Sequence, residues 1–242
     1  MFLIFDTETT GLPKRWDAPI SDINNWPRVV QLAWQLHDDN GVLISNKSYL
    51  IKPTDFDIPF ESEKVHGIST MLASQNGRDI QTVLDEFLKD LKSCEYIVGH
   101  NLKFDINVVA SELFRLDIEN QLLNKVVLDT CTENTANVCK LPGGKSGKFK
   151  FPTLVELYEN LVKNKFENAH NASADVEANA MVFFELIRQK LFDPNLIQDF
   201  ENFHTKVSGT FSNKVSTFGI NHINLKAESK KLKEQNQTDK LN

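Results

Sequence analysis

The chain of 242 residues is poor in cysteine. It has three, Cys94, Cys131 and Cys139, an odd number with no Cys-x-x-Cys pair. That argues against a disulfide framework and against a zinc site, and it makes a reducing cytoplasm the expected location. Long apolar runs are missing as well. The opening run Phe2-Leu3-Ile4-Phe5 meets Asp6 at once, too early for a secretory signal, and no later run approaches membrane-spanning length, so no membrane partner is expected. Nor is there an excess of positive charge: 27 Lys and Arg stand against 33 Asp and Glu, a net charge of −6. Such a balance argues against a general polyanion-coating protein. A local grip on a polyanion stays open, because carboxylates that hold metal would themselves contribute negative charge. No internal repeat is visible. What is there is ordinary for a soluble globular protein, 40% hydrophobic and 25% charged residues, in a chain long enough for one sizeable domain with an extra element or a tail.

The stretch from Phe2 to Gly11 carries the strongest local signal. Four apolar residues of strand length run into Asp6-Thr7-Glu8-Thr9-Thr10-Gly11. Side chains alternate along a strand, so Asp6 and Glu8 share one side of it. Two carboxylates at the mouth of an apolar strand are costly to ionise together unless a cation sits between them, and hard oxygen ligands suit Mg²⁺ or Mn²⁺. A strand ending in a solvated acidic turn would show the same residues.

Downstream, Gly11-Leu12-Pro13 breaks the chain, and residues 14–28, with Trp16, Pro19, Trp26 and Pro27, read as a long irregular excursion. Val29 to Leu36 and Val42 to Ile51 read as two strands joined by the turn Asp39-Asn40-Gly41, which with the first strand makes an antiparallel meander. A short helix from Ser62 to His66 follows. Ile80, Val83, Leu84, Phe87, Leu88 and Leu91 repeat at helical spacing. Tyr96 to Gly99 is a short buried strand, after which Asn101 is expected to cap a helix from Leu102 to Leu116. Val126 to Leu128 is another strand, ending at Asp129. Residues 140–150 form a loop with Lys140, Lys145, Lys148 and Lys150 among glycines and no acidic residue. Thr153 and Glu156 have capping-box spacing, and a last helix is expected from Ala172 to Leu191, stopped at Asp193-Pro194. Residues 195–220 read as a weaker segment, and the polar, lysine-rich stretch from Lys226 as a disordered tail. Strands first, then alternating helix and strand, imply an α/β or α+β layer with a mixed sheet.

Asp105 lies in the first turn of a helix behind a buried strand, and His170 precedes Asp175 by five residues at the start of an alanine-rich helix. Each alone fits a helix-end charge or a loop histidine. Together with Asp6 and Glu8 they fit phosphodiester hydrolysis, in which two metal ions about 3.5–4 Å apart neutralise the attacking and leaving oxygens. A histidine can take a proton from water at neutral pH.

The motifs Phe5-Asp6-Thr7-Glu8-Thr9-Thr10-Gly11, Gly99-His100-Asn101…Phe104-Asp105 and His170-Asn171-Ala172…Asp175, with the lesser signature Val65-His66-Gly67-Ile68, make residues 1–190 resemble the DEDDh subgroup of the DnaQ-like 3′→5′ exonucleases. Proofreading subunits and domains of bacterial DNA polymerase III are of this sequence type. The resemblance implies a ribonuclease H-like fold, three antiparallel strands followed by parallel ones and flanked by helices, in a domain at 1–192 with an extension at 193–242. It implies that Asp6, Glu8 and Asp175 hold the catalytic metal, with Asp6 bridging to a second ion that Asp105 supports, so that two divalent cations, Mg²⁺ or Mn²⁺, are the cofactors. His170 is the implied general base. Thr7, Thr9, Gly11 and Leu12 are implied to cradle the terminal nucleotide, with His66 and Ile68 near its sugar and base; Asn101 is first a helix cap and second a substrate contact. The implied activity releases nucleoside 5′-monophosphates from DNA 3′ ends, single-stranded or frayed, in proofreading or repair. A polymerase partner could be met through the tail or through the 14–28 excursion. RNA as substrate, or a silent module that binds nucleic acid or a polymerase, are the alternatives. Motifs alone do not fix contacts to the 2′ position.

Overall fold

A computed structural model of the chain describes residues 1–166 and 169–196. The expected tail from Lys226, and all but the first two residues of the segment 195–220, lie outside the described residues.

Five strands form one sheet: β1 (Phe2–Thr9), β2 (Val29–His37), β3 (Leu43–Leu50), β4 (Tyr96–Gly99) and β5 (Val126–Asp129). Their order across the sheet is β3-β2-β1-β4-β5. β1–β2 and β2–β3 pair antiparallel, and β1–β4 and β4–β5 pair parallel, which is the mixed sheet expected. Among the described residues seven α-helices accompany them: α1 (Phe60–His66), α2 (Thr70–Asn76), α3 (Ile80–Ser93), α4 (Lys103–Arg115), α5 (Glu133–Cys139), α6 (Leu154–Val162) and α7 (Ala172–Arg188).

The alternation of β1 decides which helix meets which residue. Leu3 and Phe5 pack with Val83, Leu84 and Phe87 of α3 and with Val108 and Val109 of α4. Phe2 and Ile4 pack with Ala172, Val176, Ala180 and Phe183 of α7 on the other face. Helices on both faces explain why all nine residues of β2 are buried, so that it reads as a nearly continuous apolar run. The small residues of α7 let its first turns lie close to the sheet, and Gln31 of β2 accepts the Ala172 N–H at 3.2 Å. α6 packs on the outer side of α7 through Leu157 and Leu161 against Ala178 and Val182.

Several boundaries differ from expectation, for local reasons. Helix α4 is not capped by Asn101. The backbone N–H groups of Asn101 and Leu102 donate to Asp129 Oδ1 and Oδ2 at 2.8 and 3.0 Å, so a carboxylate from the neighbouring strand closes that end. Asn101 itself sits at φ 59°. Helices α2 and α5, unforeseen, are two turns each and too short for an apolar period; Ser69 and Thr132 start them by accepting the N–H groups of Leu72 and Thr135. α7 ends at Arg188, three residues early, where Leu191 N–H turns back onto Leu186 O at 2.8 Å. The capping box of Thr153 and Glu156 forms as read. No described helix is long and apolar enough to cross a membrane.

Candidate metal centre and cleft

The alternation that sends Phe2 and Ile4 toward α7 carries on to Asp6 and Glu8. Asp175, in the first turn of α7, completes a trio in which one carboxylate oxygen from each acid lies within 4.8 Å of the other two. β1 shifts register against β2 between Glu8 and Thr9, where β2 carries the extra residue Val30, at the end of β1 where the trio sits. The intervening Thr7 faces α4. Its backbone N–H and its hydroxyl both donate to Asp105 Oδ1, at 3.0 and 2.6 Å, so Thr7 holds Asp105 instead of offering its N–H to a substrate. Asp105 stands beside the trio without being part of it.

Burial, then the charges of Asp105, Asp175 and Glu8, raise the Asp6 carboxyl well above the ordinary range. Burial pushes Asp105 up to about 7 against the pull of the Thr7 donors, and Asp175 up to about 7 against those of the His170 and Asn171 N–H groups. Among the described residues lining the cleft there is no lysine or arginine. An all-oxygen donor set, half-buried and crowded, is what a hard divalent cation would satisfy.

His170 lies in a left-handed conformation (φ 65°), uncommon for a side chain other than glycine, immediately before the N-cap of α7. Asn171 accepts the N–H groups of Ser173 and Ala174, while the His170 N–H donates to Asp175 Oδ2 at 3.1 Å. The cap thus ties the histidine to the metal-facing acid, and both line a cleft of about 500 Å³ with Asp6, Thr7, Asn101 and Asp105. The cleft opens where β1 and β4 end and the following helix begins, a usual place for ligands in open α/β sheets.

The residues expected to cradle a nucleotide are placed unevenly. Thr9 closes the turn after β1 by donating to Gly11 O at 2.7 Å; Gly11 has φ 146°, and Leu12 is 72% exposed. His66 is buried, and its Nδ1 accepts the Ile68 N–H at 3.1 Å. Ile68 has no exposed surface and packs with Val30, Ile58, Leu72 and Ala73, so in this structure it serves the core.

Sequence reasoning missed Asp129, which besides capping α4 accepts the Cys131 N–H at 2.7 Å. It also missed His100. Burial lowers the pKa of that ring, whose Nδ1 lies 2.9 Å from Thr130 Oγ1 and whose Nε2 lies 2.9 Å from Pro152 O, pinning the end of the lysine loop to the sheet. Their signal was position, since both stand at the ends of parallel strands.

The model of the exonuclease family RNase_T matches residues 3–183. The chain belongs to that exonuclease family. One relative is the 3′-5′ exonuclease DinG of Bacillus subtilis, 30% identical over 189 residues that cover 78% of this chain and 18% of that protein. The DNA polymerase III subunit epsilon of Rickettsia conorii is 28% identical over 192 residues, 78% of this chain and 76% of that one. E. coli Exonuclease I in complex with a dA16 oligonucleotide superposes with a TM-score of 0.58 at 21% identity, over 83% of this chain and 42% of that one. Exonuclease X in complex with 5′ overhanging duplex DNA gives 0.52 at 18% identity, over 83% and 99%. The chain therefore spans less than a fifth of DinG and less than half of Exonuclease I. The fold is the ribonuclease H-like fold of these exonucleases, and the resemblance to the DnaQ-like group holds.

Proposed function

We infer that this exonuclease removes nucleoside 5′-monophosphates stepwise from the 3′ end of DNA, in proofreading or repair. The observation that carries the reading is the half-buried trio Asp6, Glu8 and Asp175, of which Asp6 and Asp175 line a cleft without a lysine or arginine among its described lining residues, beside a histidine whose N–H is fixed to one of the three acids. Asp6, Glu8 and Asp175 would hold one divalent cation, with Asp6 shared and Asp105 supporting a second. When bound, Mg²⁺ or Mn²⁺ supplies positive charge at the attacking and leaving oxygens of an in-line displacement. His170 takes the proton of the attacking water at a ring nitrogen and passes it to solvent, to which the exposed side chain has access. Thr7 keeps Asp105 in place, the turn Thr9–Gly11 with Leu12 bounds the terminal nucleotide, and Asn101 lines its entry. The exonuclease domain is taken as residues 1–192, and the extension from 193 as a tether to a polymerase or another domain.

Digestion of single-stranded and 3′-recessed DNA beside matching RNA, with Mg²⁺ or Mn²⁺ or with chelator, tests this. Expected is stepwise 3′ shortening of DNA that stops with chelator and falls at least about 10³-fold in Asp6→Ala and in His170→Ala. Preference for RNA would keep the mechanism and change the role. Absence of metal-dependent cleavage would leave a binding module.

A further inference from the structure

The lysine loop after α5 is a folded element. Lys140 ends α5 in a left-handed conformation (φ 53°), and the Lys150 N–H donates to Leu141 O at 3.0 Å, closing the loop at its base. Within it the Lys148 N–H donates to Lys145 O at 3.1 Å. A Cβ on Gly144 would come within 2.2 Å of Lys148 O and 2.4 Å of the Phe149 carbonyl, so the two limbs touch there. Between the loop and α5 lies a cavity of about 500 Å³, lined in part by Glu133, Asn137, Lys145, Lys148, Phe149 and Phe151.

Three observations give that cavity a ligand chemistry. Phe149 and Phe151 are 40% and 54% exposed, two phenyl rings left in water beside lysines. Lys140 and Lys145 pair with no carboxylate among the described residues. Lys148 does hold Glu133 at 2.9 Å, but with both side chains about two-thirds exposed, and a pair of that kind is readily exchanged for a phosphate. Lys150 is engaged by Glu156 at the start of α6. Third, Phe151 also lines the carboxylate cleft, which makes it a wall common to the two spaces. Exposed aromatic faces alternating with cationic side chains are how proteins follow a single-stranded polynucleotide without reading its sequence.

We propose that this cavity is a second nucleotide site, holding the bases and phosphates just upstream of the bond to be cleaved while the 3′ end occupies the carboxylate cleft. The bases stack on Phe151 and Phe149, and the phosphates meet Lys145 and Lys148. The inference rests on the cleft being the 3′-end site. It gives this acidic chain a local basic track, so that single strands several nucleotides long are gripped better than the terminal nucleotide alone.

The test compares two substrates and one binding measurement on the full chain. A 5′-fluorescent oligothymidylate of about twelve nucleotides reaches both sites, whereas the p-nitrophenyl ester of thymidine 5′-monophosphate reaches only the cleft. In Lys145→Ala/Lys148→Ala, and separately in Phe149→Ala, KM for the oligonucleotide is expected to rise about tenfold with ester hydrolysis unchanged. The salt dependence of oligonucleotide binding, measured by anisotropy with chelator present, is expected to flatten by about 1.4 in log–log slope in the double lysine variant, about 0.7 per lost phosphate contact. Lys89→Ala on α3, which removes a charge of the same sign elsewhere, is expected to change neither. Equal effects on ester and oligonucleotide, an unchanged salt slope, or the same loss in Lys89→Ala would overturn the proposal. If the wild-type protein cleaves neither substrate, the reading of the cleft fails. The anisotropy arm then still decides about the cavity, since equal affinity of wild type and double variant would remove it.

Discussion

Thr7 is where strand and helix meet in the site. A hydrogen bond to a charged group contributes about 1.5–3 kcal/mol, and the Thr7 hydroxyl makes one to Asp105 at 2.6 Å. Thr7→Val keeps the shape and the backbone N–H bond but deletes that donor. On the proposed function it should lower kcat on oligonucleotides by roughly 10–100-fold with KM nearly constant, and Thr7→Ser should restore most of it. If the serine variant fails as badly as valine, the methyl packing and not the hydroxyl matters. Asp175 calls for a different readout. A cation at about 100 times its Kd stabilises by about 2.7 kcal/mol, so Mn²⁺ should raise the melting temperature of the wild-type protein by several degrees and that of Asp175→Asn by little. An undiminished shift in the variant would take Asp175 out of the metal site. The acids themselves were legible in the sequence, because strand alternation fixes the shared side of Asp6 and Glu8. The Thr7–Asp105 bond was not: it joins residues 98 apart in the chain and depends on how closely α4 lies on β1.

At the scale of elements, the position of α4 depends on a buried acid. Glu112 is 1% exposed, and its Oε1 accepts Arg28 Nε at 2.9 Å and the Val29 N–H at 3.0 Å, with Arg115 Nη1 at 3.2 Å. Arg115 in turn donates through Nη2 to the carbonyls of Ile23 and Trp26, both at 2.8 Å, and Ser111 donates to Ile20 O. The 14–28 excursion, which the sequence showed only as irregular and rich in Trp and Pro, is thus fastened to α4 along its length. Trp26 is buried beneath it, and Trp16 rests on Phe104 at the rim of the cleft. Removing one partner of a buried ion pair costs about 3–5 kcal/mol. Glu112→Ala should therefore lower the urea midpoint by that equivalent with an unchanged m-value, and Glu112→Gln, which keeps an acceptor, by less. A loss under about 1 kcal/mol in the alanine variant would mean that the arginines find water instead. Strands and long helices were readable because apolar period and burial coincide in them, as in α3. Helices α2 and α5 and the carboxylate cap of α4 were not, since short elements are set by side-chain partners that only the folded chain brings near.

Across the whole molecule, the sheet buries a histidine in neutral form at the far end of β2. His37 is 6% exposed, lies between Gly41 O at Nδ1 and the Gln35 amide at Nε2, and packs on the Phe184 ring of α7. Burial lowers its pKa to about 4, against the opposing pull of the Gly41 carbonyl and the Asp38 charge. In the unfolded chain it titrates near 6.5, so between these values the unfolded state binds more protons and stability falls as pH falls. The contribution is full above about pH 6.5 and lost as pH drops through about 4. Asp105 and Asp175 act with the opposite sign in the metal-free protein: their folded values near 7 exceed the unfolded ones, so their contribution is present at acid pH and lost as pH rises through about 7. The raw pH dependence of the melting temperature therefore mixes both, and the comparison that isolates the histidine is wild type against His37→Gln at fixed chelator. Between about pH 7 and pH 4.5 the wild-type protein should lose about 2–3 kcal/mol more than the variant, roughly 4–12 °C in melting temperature for a domain of this size. Parallel curves for the two proteins would mean that His37 finds a way to protonate without leaving the sheet.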